Sequence, residues 1–125
     1  MRLLLDTHIY LWLANGSPRL TPQAKERIES ADIVFVSSAT IWEIAIKVQL
    51  GKLRVDLDEL IEQIQANGFE ELPVLARHAK ALASLPRHHG DPFDRLLVAQ
   101  AISETMRLLT ADTQLEAYSE LVECL

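Results

Sequence analysis

Two short apolar runs without polar interruption stand out from the chain, Leu3-Leu4-Leu5 and Ile33-Val34-Phe35-Val36. Runs of this length read as strands covered on both faces, and each ends at a polar residue, Asp6 in the first case and Ser37-Ser38 in the second. Phe69 to Val74 and Met106 to Thr110 carry weaker versions of the pattern, and Leu121-Val122 suits a short edge strand. Between the runs lie helical stretches with recognisable ends. One starts at Thr7. A second opens at Thr21-Pro22, with Thr as cap and Pro in the first turn, and ends near Ala31. A third, with Ser38 as its cap, runs to Leu50 and stops at Gly51; Leu57 to Ala66 and Leu75 to Ser84 follow, and Asp91-Pro92 opens the last, to about Thr105. This alternation predicts the α/β class, a three-layer αβα sandwich around a central, mostly parallel sheet. Ligands of such folds bind beyond the carboxyl ends of the strands.

The 125 residues contain no repeat and no Pro/Gly/Ser linker, so a single domain over residues 1–125 is expected. Hydrophobic residues make up 49%, which excludes a disordered or fibrous chain. The single cysteine, Cys124, cannot form an internal disulfide; it reads as a packing residue in a reducing, cytoplasmic compartment. No apolar run approaches the roughly 20 residues of a membrane span, and Asp6 and His8 interrupt the start before any export signal is complete. The net charge of −6 is unevenly spread. Residues 56–72 hold six acids and no Lys or Arg, whereas residues 44–55 hold Lys47, Lys52 and Arg54 and no acid, so an anionic substrate is not excluded.

The acids carry the candidate chemistry. Asp6 follows the first strand and Asp112 follows Leu108-Leu109-Thr110-Ala111, although each also suits a cap or turn. Glu43 is the only charged residue between Ile33 and Ile46, in a helix that is apolar nearly all round. A buried carboxylate there costs several kcal/mol unless a partner compensates it, and Lys47, one turn on, is the structural candidate. Asp91 has the position of a helix cap, whereas Asp94 shares a face with Leu97, Val98 and Ala101 and should border the core. Carboxylates converging on one pocket repel unless a cation neutralises them, and oxygen-only ligands suit Mg²⁺ or Mn²⁺ rather than Zn²⁺.

Other chemistries find little support. His78, His88 and His89 form no metal-ligand spacing and read as solvated loop residues. Gly51-Lys52 lacks the upstream glycine of a phosphate-binding loop, and there is no serine nucleophile elbow. Ile9, Trp12 and Leu13 read as core.

Three segments together resemble the PIN-domain nucleases: Met1 to His8, Ser37 to Lys47 with Gly51-Lys52-Leu53, and above all His89-Gly90-Asp91-Pro92-Phe93-Asp94-Arg95-Leu96-Leu97-Val98-Ala99-Gln100-Ala101. Within that family the pattern is similar to the VapC-type toxins of bacterial type II toxin-antitoxin systems. The resemblance implies an acidic quartet of Asp6, Glu43, Asp94 and Asp112, with Thr7, Thr110 and Asp91 in support. It also implies Mg²⁺- or Mn²⁺-dependent cleavage of RNA, inhibition by a cognate antitoxin protein, and a homodimer. Lys47, Lys52 and Arg54 are the candidates for steering the RNA backbone, and Arg95 is a candidate to contact either a phosphate or an antitoxin carboxylate. Three alternatives remain at this point: a PIN nuclease of RNA maturation, a PIN-like module that binds RNA or a partner without cutting, and a phosphorelay receiver module. The receiver is disfavoured because Asp6 has no adjacent acid and Asp56 lies in a charged connector.

Overall fold

Strand β1 (Arg2–Leu5) lies at the centre of a five-stranded sheet, which is why Leu3, Leu4 and Leu5 are all fully buried and why no polar residue alternates with them. This computed structural model describes residues 1–88 and 90–125; His89, read above as a solvated loop residue, lies outside the described residues. β2 (Ile33–Ser37), β3 (Glu70–Leu72), β4 (Arg107–Thr110) and β5 (Val122–Cys124) complete the sheet in the order β3-β2-β1-β4-β5, with every pairing parallel. The expected α/β sandwich is therefore present. The helices are α1 (Thr7–Asn15), α2 (Pro22–Ser30), α3 (Ser38–Gln49), α4 (Leu57–Ala66), α5 (Ala76–Leu82) and α6 (Pro92–Glu104), and a 3₁₀ turn spans Thr113–Tyr118.

Alternate side chains of β1 feed two cores. Leu3 and Leu5 pack with Ile9, Tyr10, Ile28, Ile44, Leu60 and Ile64 on one face; Leu4 packs with Leu97, Val98, Met106, Leu108 and Leu115 on the other. Ile9 is buried, and Trp12 and Leu13 pack against the first core, as expected. The third helix departs from expectation. Its apolar composition predicts burial all round, yet Trp42 is 58% and Leu50 61% exposed; Ala39, Thr40, Glu43 and Ile44 are buried, Ile41 and Val48 pack partly against the first core, and the opposite side faces outward. Gly51 ends this helix with φ +72°, a backbone region that side chains other than glycine seldom adopt, and the reversed chain presents Lys52.

His78 corrects a second expectation: it is not a solvated loop residue but a fully buried one within α5. Its Nδ1 accepts from the Leu75 N–H at 3.0 Å and its Nε2 lies 2.8 Å from Glu104 of α6, which Arg77 also contacts at 2.6 Å. This polar clamp fastens α5 to α6. The Glu104 carboxyl is held below the usual carboxylate range, first by the His78 hydrogen bond and then by Arg77. Among the described residues, no helix is long and apolar enough to cross a membrane.

Candidate active site

The sheet reverses its order of growth between β1 and β4, and in open α/β sheets the crevice at such a reversal, beyond the carboxyl ends of the strands, is where ligands bind. Asp6 stands there. Its N–H continues the ladder by donating to the Leu109 carbonyl at 3.0 Å, and this register sets it beside Thr110 at the end of β4. Asp6 also caps α1, its Oδ1 accepting from the Ile9 N–H at 2.9 Å, while Oδ2 accepts from the Thr110 hydroxyl. Capping thus occupies one oxygen and the strand end binds the other. The residue is only 2% exposed. Burial pushes its carboxyl above the usual range, against the lowering effect of Thr110, the Ile9 N–H and nearby His8, and Glu43 adds a smaller upward push by repulsion.

That repulsion places Glu43 in the same electrostatic neighbourhood. α1 and α3 begin directly after β1 and β2, so both open at the carboxyl edge of the sheet. The Thr7 hydroxyl, next to Asp6 in the chain, donates to Glu43 Oε1 at 2.7 Å, and Lys47 Nζ lies 3.2 Å from Oε2. Glu43 is 5% exposed, so the expected pair with Lys47 exists and compensates a carboxylate with little access to water. Thr40, one turn before Glu43, was missed in the sequence reading; its hydroxyl is buried 3.2 Å from that of Thr7. A hydroxyl three residues before the only acid of an apolar helix, and so on the same face, is the signal that points to it.

Asp112 reaches the same network through the backbone: its N–H donates to Thr110 Oγ1 at 3.0 Å, and its Oδ1 accepts from the Gln114 N–H at 2.9 Å, opening the 3₁₀ turn. Asp112, Thr110, Asp6, Thr7 and Glu43 therefore form one linked arrangement across β1, α3 and β4. Asp91 and Asp94 lie at the start of α6, which runs into β4 and so also opens at the carboxyl edge. Asp91 Oδ1 caps that helix, accepting from the Phe93 and Asp94 N–H groups at 2.8 and 3.1 Å. Asp94 is half-buried. Its neighbour Phe93 packs edge-on against Trp42, centroids 5.0 Å apart, which joins the first turn of α6 to the helix that carries Glu43.

The basic candidates separate. Lys47 and Lys52 line a cavity of about 400 Å³ with His8, Leu11, Trp12, Asn15 and Leu53, on the α1–α3 flank of the acids. Arg54 is exposed and lines a different cleft, next to Asp56 and Glu59. Arg95 borders a third cavity beyond Asp94.

The acids fit a hard cation in donor chemistry but do not form a closed cage. Asp6 has two hydrogen-bond donors and no cationic side chain bonded to it among the described residues, although an ionised carboxylate offers about four acceptor positions. Among the described residues, no three ligating groups stand close enough to hold one ion as they lie.

This fold, with acids at its switch point, defines a class of protein, and the comparisons agree. Residues 3–121 match the model of the PIN domain, and the chain belongs to that family. Ribonuclease VapC22 of Mycobacterium tuberculosis is 33% identical over 122 residues, covering 92% of this chain and 90% of that protein. Among solved structures, VapBC2 from Rickettsia felis bound to a DNA fragment from its promoter aligns with a TM-score of 0.73 at 17% identity, over 99% of this chain and 98% of the other. A toxin-antitoxin complex from Klebsiella pneumoniae aligns with a TM-score of 0.67 at 19% identity, over 97% and 95%.

Proposed function

We propose that this chain is a metal-dependent endoribonuclease, the toxin of a type II toxin-antitoxin system. The observation that carries the reading is Asp6, a carboxylate buried at the switch point of the sheet at an energetic cost and within the field of a second buried acid. A protein maintains such a group where its charge is used, and the relative named a ribonuclease is 33% identical across 92% of this chain, which supports the reading.

Asp6 and Asp94 are the principal residues to hold Mg²⁺ or Mn²⁺, with Glu43 and Asp112 completing the set. When bound, the ion supplies neutralisation of the phosphate charge and a more acidic water for attack. The Thr110 hydroxyl and the Ile9 N–H fix the orientation of Asp6, and Thr7 fixes Glu43. Lys47 and Lys52 offset the repulsion between an incoming RNA backbone and the acids. The products are a 5′-phosphate and a free 3′-hydroxyl. Two copies of the chain pair as a homodimer in the cytoplasm, and the cognate antitoxin blocks the acidic crevice; the toxin-antitoxin complexes among the structural neighbours support such a partner.

Asp94→Asn tests the reading. This variant keeps the wild-type unfolding curve and loses Mg²⁺-dependent cleavage of single-stranded RNA. Cleavage at the wild-type rate by Asp94→Asn removes the assignment.

A further inference from the structure

The connection from α5 to α6 carries a basic cavity outside the acid network. Arg87, His88, Gly90 and Arg95 line about 290 Å³ of open space beside the first turn of α6, and Arg95 directly follows Asp94. Arg87 and His88 are exposed. Arg95 is half-buried and donates one long hydrogen bond, 3.3 Å, to the Leu85 carbonyl; its Nε is buried without a partner among the described residues. Among the described residues, neither guanidinium is paired with a carboxylate, in a chain where acids outnumber bases eighteen to twelve. Arg87 is free to pair from the solvent side, and the buried Arg95 Nε is a donor that a ligand acceptor would satisfy, so the two guanidinium groups suit an anion between them. The His88 ring, meanwhile, packs edge-on against Tyr118 at 5.1 Å.

Resting on the ribonuclease reading above, the geometry points to a backbone subsite: Arg87 and Arg95 hold a phosphodiester of the RNA strand next to the one being cut, and the His88–Tyr118 pair offers a ring edge to its base. Guanidinium forks match phosphate oxygens in pairs, and cationic side chains interleaved with aromatic ones are the surface that single strands take. An acidic peptide needs only the cations. The strand then crosses the acidic crevice between two basic cavities, that of Lys47 and Lys52 on the α1–α3 flank and this one on the α6 flank.

The test is fluorescence anisotropy with a labelled 12-nucleotide single-stranded RNA in EDTA, which prevents turnover, over a KCl series. Arg87→Glu and Arg95→Gln each weaken binding about tenfold. Arg95→Gln lowers the slope of log Kd against log [KCl] by about 0.7, and Arg87→Glu by at least as much. Arg87→Lys keeps the salt slope of wild type but recovers only part of the affinity, because an ammonium cannot make the paired contact. Lys25→Glu, the same charge change near the amino ends of the strands, leaves binding at the wild-type level. Because Arg95 is partly buried, its variant is checked by thermal unfolding; Arg87, on an exposed loop, carries the conclusion if Arg95→Gln fails to fold. Wild type that binds and cuts RNA while Arg87→Glu matches Lys25→Glu overturns the subsite and leaves the ribonuclease reading intact. A decaglutamate peptide whose affinity falls in Arg87→Glu while that of RNA does not assigns the cavity to an acidic protein and also overturns it. Wild type that neither binds nor cuts RNA removes both.

Discussion

Thr110→Val changes one hydroxyl for a methyl of nearly the same volume at a position with no solvent exposure, so its effect isolates hydrogen bonding. Two bonds are lost. The hydroxyl donates to Asp6 Oδ2 and accepts from the Asp112 N–H at 3.0 Å. A hydrogen bond to a charged, buried acceptor contributes about 1.5–3 kcal/mol, and the stranded, partly buried N–H adds about 1 kcal/mol. The total is roughly 2.5–4 kcal/mol. For a domain of 125 residues, each kcal/mol moves Tm by about 4 °C, so the variant melts roughly 10–16 °C below wild type. The pH dependence has a definite sign. Burial already raises the Asp6 carboxyl, and the Thr110 hydroxyl partly offsets this, so removing it raises the folded-state value further. Stability is lost as pH rises through a raised folded-state pKa, and the deficit of Thr110→Val is therefore larger at pH 8 than at pH 5. Circular dichroism melts at both pH values, closed into a double-mutant cycle with Asp6→Asn, measure it. A variant that melts within 2 °C of wild type at pH 8, or shows no coupling to Asp6, refutes the role given to Thr110.

Asp6→Asn removes a charge whose folded-state pKa is raised chiefly by burial; it raises Tm above neutral pH in metal-free buffer while abolishing RNA cleavage, and a lower Tm than wild type at pH 8 contradicts this. The Glu104 carboxyl is shifted the other way, so its stabilising contribution is present above its ordinary value and is lost as pH falls through the lowered one. Urea titrations should accordingly show Glu104→Gln less stable than wild type at pH 7 and the gap closing toward pH 3; a gap that does not vary with pH argues against the clamp. His78→Phe retains the volume of the buried ring, leaves Glu104 with Arg77 alone, and unfolds at lower urea than wild type.

The central strands were readable because burial on both faces leaves no room for polar alternation, and Leu3 to Leu5 and Ile33 to Val36 therefore announce themselves. Helix starts at Thr21 and Asp91 followed from local capping chemistry, which a sequence displays directly; the third helix is capped one residue before the expected Ser38, by Ser37, whose hydroxyl accepts from the Ala39 N–H at 3.0 Å. β3 was harder to bound, because its Glu70 and Glu71 are exposed and only Leu72 is buried. What long-range contacts decide stayed hidden. Nothing near His78 indicates that its partner is Glu104, 26 residues away on another helix, and Trp42 stays exposed although its helix is apolar. The acids at strand ends were identifiable from position, whereas the threonine bonds that link Asp6, Glu43 and Asp112 required the register of three strands.

Calorimetric titration of Mn²⁺ into the metal-free protein addresses most directly whether the buried acids form a cation centre. Wild type takes up the ion saturably, and its Tm rises with the ion concentration; Asp6→Asn and Asp94→Asn lose both effects. Absence of Mn²⁺ and Mg²⁺ uptake by folded wild type, or equal uptake by Asp6→Asn, contradicts the account.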